Sequence, residues 1–135
     1  MMAELFGKKS GFCKGKGGSM HIADMGLGIL SANGIAGGGL PIAIGAGWSA
    51  KWRGTDQVAA SFFGDAASNN GTFHESLNLA SLHKLPVIFV CENNEFGISV
   101  CQSKHQLIKD IYIRATSYDM PGVLVDGNDV VEVFE

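Results

Sequence analysis

Val58-Ala59-Ala60-Ser61-Phe62-Phe63-Gly64-Asp65-Ala66-Ala67-Ser68-Asn69-Asn70-Gly71 and the later Pro86-Val87-Ile88-Phe89-Val90-Cys91-Glu92-Asn93-Asn94 decide the fold. Each opens on a short apolar run, Val58–Phe63 and Pro86–Cys91, and then turns abruptly small or polar. A parallel strand buried on both faces has this pattern. Between the two, Phe73, Leu77, Ala80 and Leu82 fall near helical spacing and predict a helix over Phe73–Lys84. Downstream, Leu107, Ile108, Ile111 and Ala115 predict a helix over Lys104–Ser117, Gly122–Val125 a third strand, and Asp129–Glu135 the start of another helix with Asp129 in its first turn. This alternation implies an α/β fold, a parallel β-sheet flanked by helices with right-handed crossovers. Such sheets bind ligands beyond the carboxyl ends of their strands. Here those ends carry Gly64-Asp65-Ala66-Ala67 and Glu92-Asn93-Asn94.

The first part of the chain is built differently. Fourteen of the nineteen glycines fall in residues 1–54, so much of residues 10–34 reads as an irregular, backbone-exposing loop. From Ile35 to Lys51 small residues dominate around Ile42, Ile44 and Trp48. Glycines cost a helix roughly 1 kcal/mol each relative to alanine, so a helix here needs close tertiary contact, and Pro41 fits only its first turn or a kink.

The 135 residues suit one domain, and 46% hydrophobic with 17% charged residues can bury a core. A net charge of −3 argues against phosphate-driven nucleic-acid binding or a membrane-surface role. No apolar run is long enough to span a bilayer. The N-terminus lacks the basic-then-apolar order of a secretory signal, and Cys13, Cys91 and Cys101 form no CxxC, so a cytoplasmic setting is expected.

Asp65 directly follows a buried strand and precedes a turn of small residues. Such a turn leaves backbone N–H groups for an anion, but a carboxylate there repels phosphate unless a cation intervenes. Mg²⁺ or Ca²⁺ fits that role and takes oxygen ligands from carboxylates, amides, backbone carbonyls and water. Asn94 offers an amide oxygen at the neighbouring strand end, and the following turn offers the Phe96 carbonyl. The plainer reading is that Asp65 and Asn94 are turn formers. Walker spacing fails around Lys14 and Lys16, and no GxGxxG follows a predicted strand. His74 and His83 lie too far apart to share a metal, and His105 is expected to be exposed at a helix start.

Gly64-Asp65-Ala66, then 26 residues, then Asn93-Asn94 resembles the Gly-Asp-Gly…Asn-Asn motif of thiamine-diphosphate enzymes. Flanking words narrow the likeness: Lys16-Gly17-Gly18-Ser19-Met20-His21, Asn33-Gly34-Ile35-Ala36-Gly37-Gly38-Gly39, Gly71-Thr72-Phe73-His74-Glu75, and Val125-Asp126-Gly127-Asn128-Asp129. Together they resemble the alpha subunit of the thiamine-diphosphate-dependent dehydrogenase component of acetoin and pyruvate-type 2-oxo acid dehydrogenase complexes. The resemblance implies a Rossmann-like diphosphate-binding domain over residues 1–135, with a Gly-rich loop and interface helix in 1–54 and a βαβαβα core in 55–135. It implies Mg²⁺ held by Asp65, Asn94 and the Phe96 carbonyl, diphosphate contacts from the Ala66 and Ala67 amides, and aminopyrimidine contacts from the backbone of Gly34 and Ala36. It assigns no catalytic residue to this chain, because the glutamate that activates the cofactor belongs to a beta subunit. The implied reaction cleaves a carbon–carbon bond next to a carbonyl and passes the acyl unit to a lipoyl-bearing acyltransferase. A homo-oligomer through residues 34–51 is also expected.

Three departures stand out. Ala66 replaces the third motif glycine, which costs of order 1–2 kcal/mol if that position needs positive φ and nothing otherwise. Ala36 and Phe96 stand where a larger aliphatic and a tyrosine are usual. The chain matches only the central part of such a subunit, so activity of the chain alone is not expected. The competing readings are a non-catalytic scaffold of the same fold and a nucleotide- or phosphoester-binding α/β domain.

Overall fold

A computed structural model describes all residues 1–135. Its centre is the pair predicted from the apolar runs. β1 (Ala59–Gly64) and β2 (Val87–Glu92) are parallel, in register from Ala59 opposite Val87 to Gly64 opposite Glu92. The crossover between them is α3 (Gly71–Leu82), which begins where Asn70 Oδ1 accepts a hydrogen bond from the Thr72 amide. α2 (Gly39–Arg53) packs against both strands and α3. Pro41 falls in its first turn as expected, and Gly54, at φ 65°, closes it in the left-handed conformation.

The core is small and well defined. Leu40 from α2, Phe63 from β1, Ala67 beyond it, and Phe73 and Leu77 from α3 form one buried cluster, with the Phe63 and Phe73 rings 5.6 Å apart. Ser61 and Phe63 point into this side, while Phe62 and Ile88 are exposed, so the strands are not buried on both faces as their apolar runs had implied. α2 reaches the sheet so closely because Gly47 lacks a side chain: a Cβ there would stand 2.5 Å from Val87 Cγ2. The inward small residues of α2 therefore serve packing within the chain. Ile42 and Trp48 remain partly open on its outer side.

Two expectations need correction. Gly122–Val125 forms no strand; residues 121–126 lie outside any helix or strand, and Val123 and Leu124 are exposed. An apolar run becomes a strand only when a neighbour supplies its backbone partners, and none does here. The third strand of the expected βαβαβα core is therefore absent. The helix predicted over Lys104–Ser117 is broken into two 3-10 turns, Gln102–Lys104 and Ile111–Tyr118. Tertiary hydrogen bonds accompany the break: Gln102 Nε2 donates to the Lys109 carbonyl at 2.9 Å, and Gln106 Oε1 accepts from Arg114 at 3.3 Å. A two-residue hairpin was also unforeseen, with β3 (Phe96–Gly97) antiparallel to β4 (Val100–Cys101). The chain closes with α4 (Val130–Phe134), capped by the Asp129 carboxylate.

The glycine-rich N-terminal segment is a knot rather than an open loop. α1 (Met2–Leu5) buries Glu4, whose carboxylate accepts from the amides of Cys13, Gly15 and Gly17. A Cβ on Gly11 would stand 2.3 Å from Glu4 Oε2, and one on Gly15 would stand 2.4 Å from the Gly7 carbonyl carbon. Burial pushes the Glu4 pKa up, but the amides of Gly15, Gly17, Cys13 and Gly18 outweigh it, and the carboxyl is held below its ordinary value.

Candidate binding site at the strand ends

Because β1 and β2 end in register, the residues that follow Gly64 and Glu92 leave the same edge of the sheet. Asp65 opens a 3-10 turn, Asp65–Asn69, and is 2% exposed. Its Oδ2 is buried with no hydrogen-bond partner. A carboxylate oxygen left so is costly unless a donor or a cation meets it. Ala66 and Ala67 follow in the same turn. Ala66 is not among the residues with positive φ, so alanine at the motif's third position carries no backbone penalty.

Asn93 and Asn94 each close a local turn, Asn93 Oδ1 accepting from the Glu95 amide and Asn94 Oδ1 from the Phe96 amide, both at 2.9 Å. An amide oxygen has a second lone pair, so the turn does not exhaust Asn94. The hairpin that follows folds back onto the Asp65 turn: a Cβ on Gly97 would lie 2.8 Å from Ala66 Cβ. The structure thus packs the Phe96–Gly97 segment against the Asp65 turn, with Asn94 at the strand end between them in sequence.

Of the two glycine-loop candidates, Ala36 meets the turn and Gly34 meets Met20 and His21 instead. The Ala36 carbonyl accepts from Asn70 Nδ2 at 3.3 Å, which ties the entry to α2 to the residue that ends the Asp65 turn. Gly34 is exposed, and a Cβ there would sit 2.9 Å from Met20 Cε and 3.9 Å from His21 Cε1. No three His, Cys, Asp or Glu side chains converge. A cation at the strand ends would therefore be held by mixed oxygen donors, the set expected for Mg²⁺.

Four residues near the site escaped the sequence reading. His105, expected to be exposed, is turned inward with Nε2 3.9 Å from Asp65 Oδ2. Asn69 Nδ2 meets its Nδ1, Gln106 Oε1 accepts from Ser68 Oγ, and Arg114 donates to the Ser68 carbonyl at 2.6 Å and to Asn69 Oδ1 at 3.0 Å. No spacing rule points to them, because His105, Gln106 and Arg114 return to the Asp65–Asn69 turn from some forty residues downstream. Away from the site, His74 Nδ1 pairs with the Tyr118 hydroxyl at 2.6 Å and the His83 ring lies tilted against Trp48 with centroids 4.3 Å apart.

No helix is long and apolar enough to cross a membrane. The family model described as "Dehydrogenase E1 component" matches residues 1–135. The chain is 53% identical over 135 residues to the alpha subunit of acetoin:2,6-dichlorophenolindophenol oxidoreductase from Bacillus subtilis, covering 100% of this chain and 40% of that protein. It is 51% identical, with the same coverage, to the corresponding subunit from Cupriavidus necator. It is 43% identical over 141 residues to the chloroplastic pyruvate dehydrogenase E1 component subunit alpha-3 of Arabidopsis thaliana, covering 33% of that protein. A solved structure of a thiamin diphosphate-dependent enzyme from Mycobacterium smegmatis superposes with a TM-score of 0.52 at 24% identity, over 67% of this chain and 17% of that one, a likeness of fold. The chain spans about two fifths of the length of the acetoin relatives. With the match running its full length, the chain belongs to the dehydrogenase E1 component family.

Proposed function

We propose that this chain carries the Mg²⁺–diphosphate half of a thiamine-diphosphate site in the alpha subunit of an acetoin or pyruvate-type 2-oxo acid dehydrogenase component. The observation that carries the reading is the buried, unpartnered Oδ2 of Asp65 at the end of β1. It sits on a turn packed against Phe96–Gly97, beside the strand end that bears Asn94. Asp65, the Asn94 side chain and the Phe96 carbonyl would hold the ion. The amides of Ala66 and Ala67 would receive the diphosphate, and the backbone at Gly34 and Ala36 the aminopyrimidine.

Thiamine diphosphate, when bound, supplies the nucleophilic carbon and electron sink for cleaving a carbon–carbon bond next to a carbonyl. This chain's residues hold and orient; the base comes from a beta subunit, and the acyl unit goes to a lipoyl-bearing acyltransferase. Trp48 and Ile42 on the outer side of α2 support an assembly through residues 34–51. Three free cysteines agree with a reducing, cytoplasmic setting.

Calorimetry with thiamine diphosphate and Mg²⁺, on the chain alone and with a beta subunit, tests this reading, with ATP and NAD as controls. Binding that requires the metal and is lost in Asp65→Ala is expected. Binding in neither condition leaves a scaffold, and preference for ATP or NAD leaves a nucleotide-binding domain.

A further inference from the structure

The ring of His105 stands between two polar surroundings of opposite kind. On one side Asn69 Nδ2 lies 2.9 Å from His105 Nδ1 and donates to the His105 carbonyl at 3.0 Å. On the other, Nε2 faces Asp65 Oδ2 at 3.9 Å, and both of those atoms are buried without hydrogen-bond partners.

The orientation of the Asn69 amide is determined by its neighbours. Its Oδ1 accepts from Arg114 at 3.0 Å, and arginine can only donate. Its Nδ2 faces a backbone carbonyl, which can only accept. The atom meeting His105 Nδ1 is therefore a donor, and Nδ1 must be the acceptor. In the neutral ring this leaves the single proton on Nε2, aimed at the Asp65 carboxylate. Arg114 is itself braced by donating to the Ser68 carbonyl, Ser68 Oγ and Gln106 Oε1, so the chain of donors runs one way from Arg114 through Asn69 and His105 toward Asp65.

We propose that His105 is a positioning residue for the metal-binding carboxylate of Asp65, donating Nε2–H to one lone pair of Oδ2 and so fixing the orientation in which the carboxylate meets the ion. The inference rests on the Mg²⁺ site proposed above and adds to it a residue outside the motif. At 3.9 Å the pair is too long for a hydrogen bond, and closing it takes about 1 Å of carboxylate or ring movement. A ligating carboxylate held by a second group keeps its orientation, and loss of such a partner commonly weakens metal binding by roughly 10–100-fold.

Two measurements test the proposal. In the metal-free chain with ¹⁵N-labelled histidine, the His105 ring nitrogens should report the Nε2–H tautomer, and the Nε2 proton should shift when Mg²⁺ and thiamine diphosphate are added. The Nδ1–H tautomer would overturn it. Mn²⁺, followed by the electron paramagnetic resonance of the free ion in the presence of thiamine diphosphate, should bind His105→Phe roughly 10–100-fold more weakly than the parent. His105→Gln, which keeps a donor at similar reach, should recover most of that loss. Asp65→Asn separates the two levels of the reading. If Asp65→Asn abolishes Mn²⁺ binding while His105→Phe binds within twofold of the parent, the metal site stands and the role of His105 falls. If Asp65→Asn binds Mn²⁺ like the parent, the metal site itself is wrong.

Discussion

Glu4 Oε1 accepts a hydrogen bond from the Gly17 amide at 2.6 Å, so a carboxylate on the first helix organises a loop thirteen residues away. The same carboxylate takes the amides of Cys13 and Gly15 on its other oxygen. Its pKa in the folded chain lies below the ordinary 4.5. The stabilisation it contributes is therefore complete above pH 4.5 and is lost as the pH falls through the lower, folded value. Hydrogen exchange at the Cys13, Gly15 and Gly17 amides should show protection that collapses on acidification below that point. Glu4→Gln replaces one acceptor oxygen with a donor facing those amides, and should abolish the protection at every pH.

Two glycines of α2 should respond in opposite directions. Gly47 faces β2, and the Val87 side chain that its Cβ would strike is stiff. Gly47→Ala should destabilise the chain by about 1–3 kcal/mol in urea unfolding. Gly45 has nothing within 4 Å of its Cβ position. Gly45→Ala should stabilise by up to about 1 kcal/mol.

Gly97 and Ala66 share one small space at the strand ends. Gly97→Ala places two methyl groups 2.8 Å apart and should push the hairpin off the Asp65 turn. Metal-dependent cofactor binding, measured by calorimetry, should weaken markedly. Ala66→Gly at an ordinary φ should cost only about 0.5–1 kcal/mol in stability. The pair Ala66→Gly with Gly97→Ala restores the room and should recover binding beyond the sum of the single changes.

The cysteines should differ in reactivity. Burial pushes the Cys91 thiol up to about 11, with the Asp65 charge adding to it and Arg114 opposing. Hydrogen bonds from Ser103, side chain first and backbone second, hold Cys101 below its ordinary value. Near pH 7.5, iodoacetamide followed by peptide mass spectrometry should label Cys101 well before Cys91. Ser103→Ala should slow Cys101 alone.

The apolar runs at Val58–Phe63 and Pro86–Cys91, and the helical period between them, were legible because each is a local pattern with one physical solution. Asp65 and Asn94 were legible for the same reason: an acid and an amide at the ends of neighbouring strands are unusual, and parallel register brings those ends to one edge. Gly122–Val125 misled because its composition suits a strand but its partner cannot be read from it. Lys104–Ser117 misled because the apolar period there does not report the tertiary hydrogen bonds of Gln102 and Gln106, made to Lys109 and Ser68.

The amino-acid order by itself determined the central β–α–β unit, the placing of Pro41 in a first helical turn, and the candidate oxygen donors at the strand ends. Tertiary structure alone decided that the N-terminal glycines wrap a buried carboxylate, that Gly47 seats α2 on β2, and that His105 faces Asp65. Periodicity reports which face of an element is apolar and so reaches only one turn or one strand at a time. Contacts between segments tens of residues apart depend on where the chain returns, and no local pattern encodes that return.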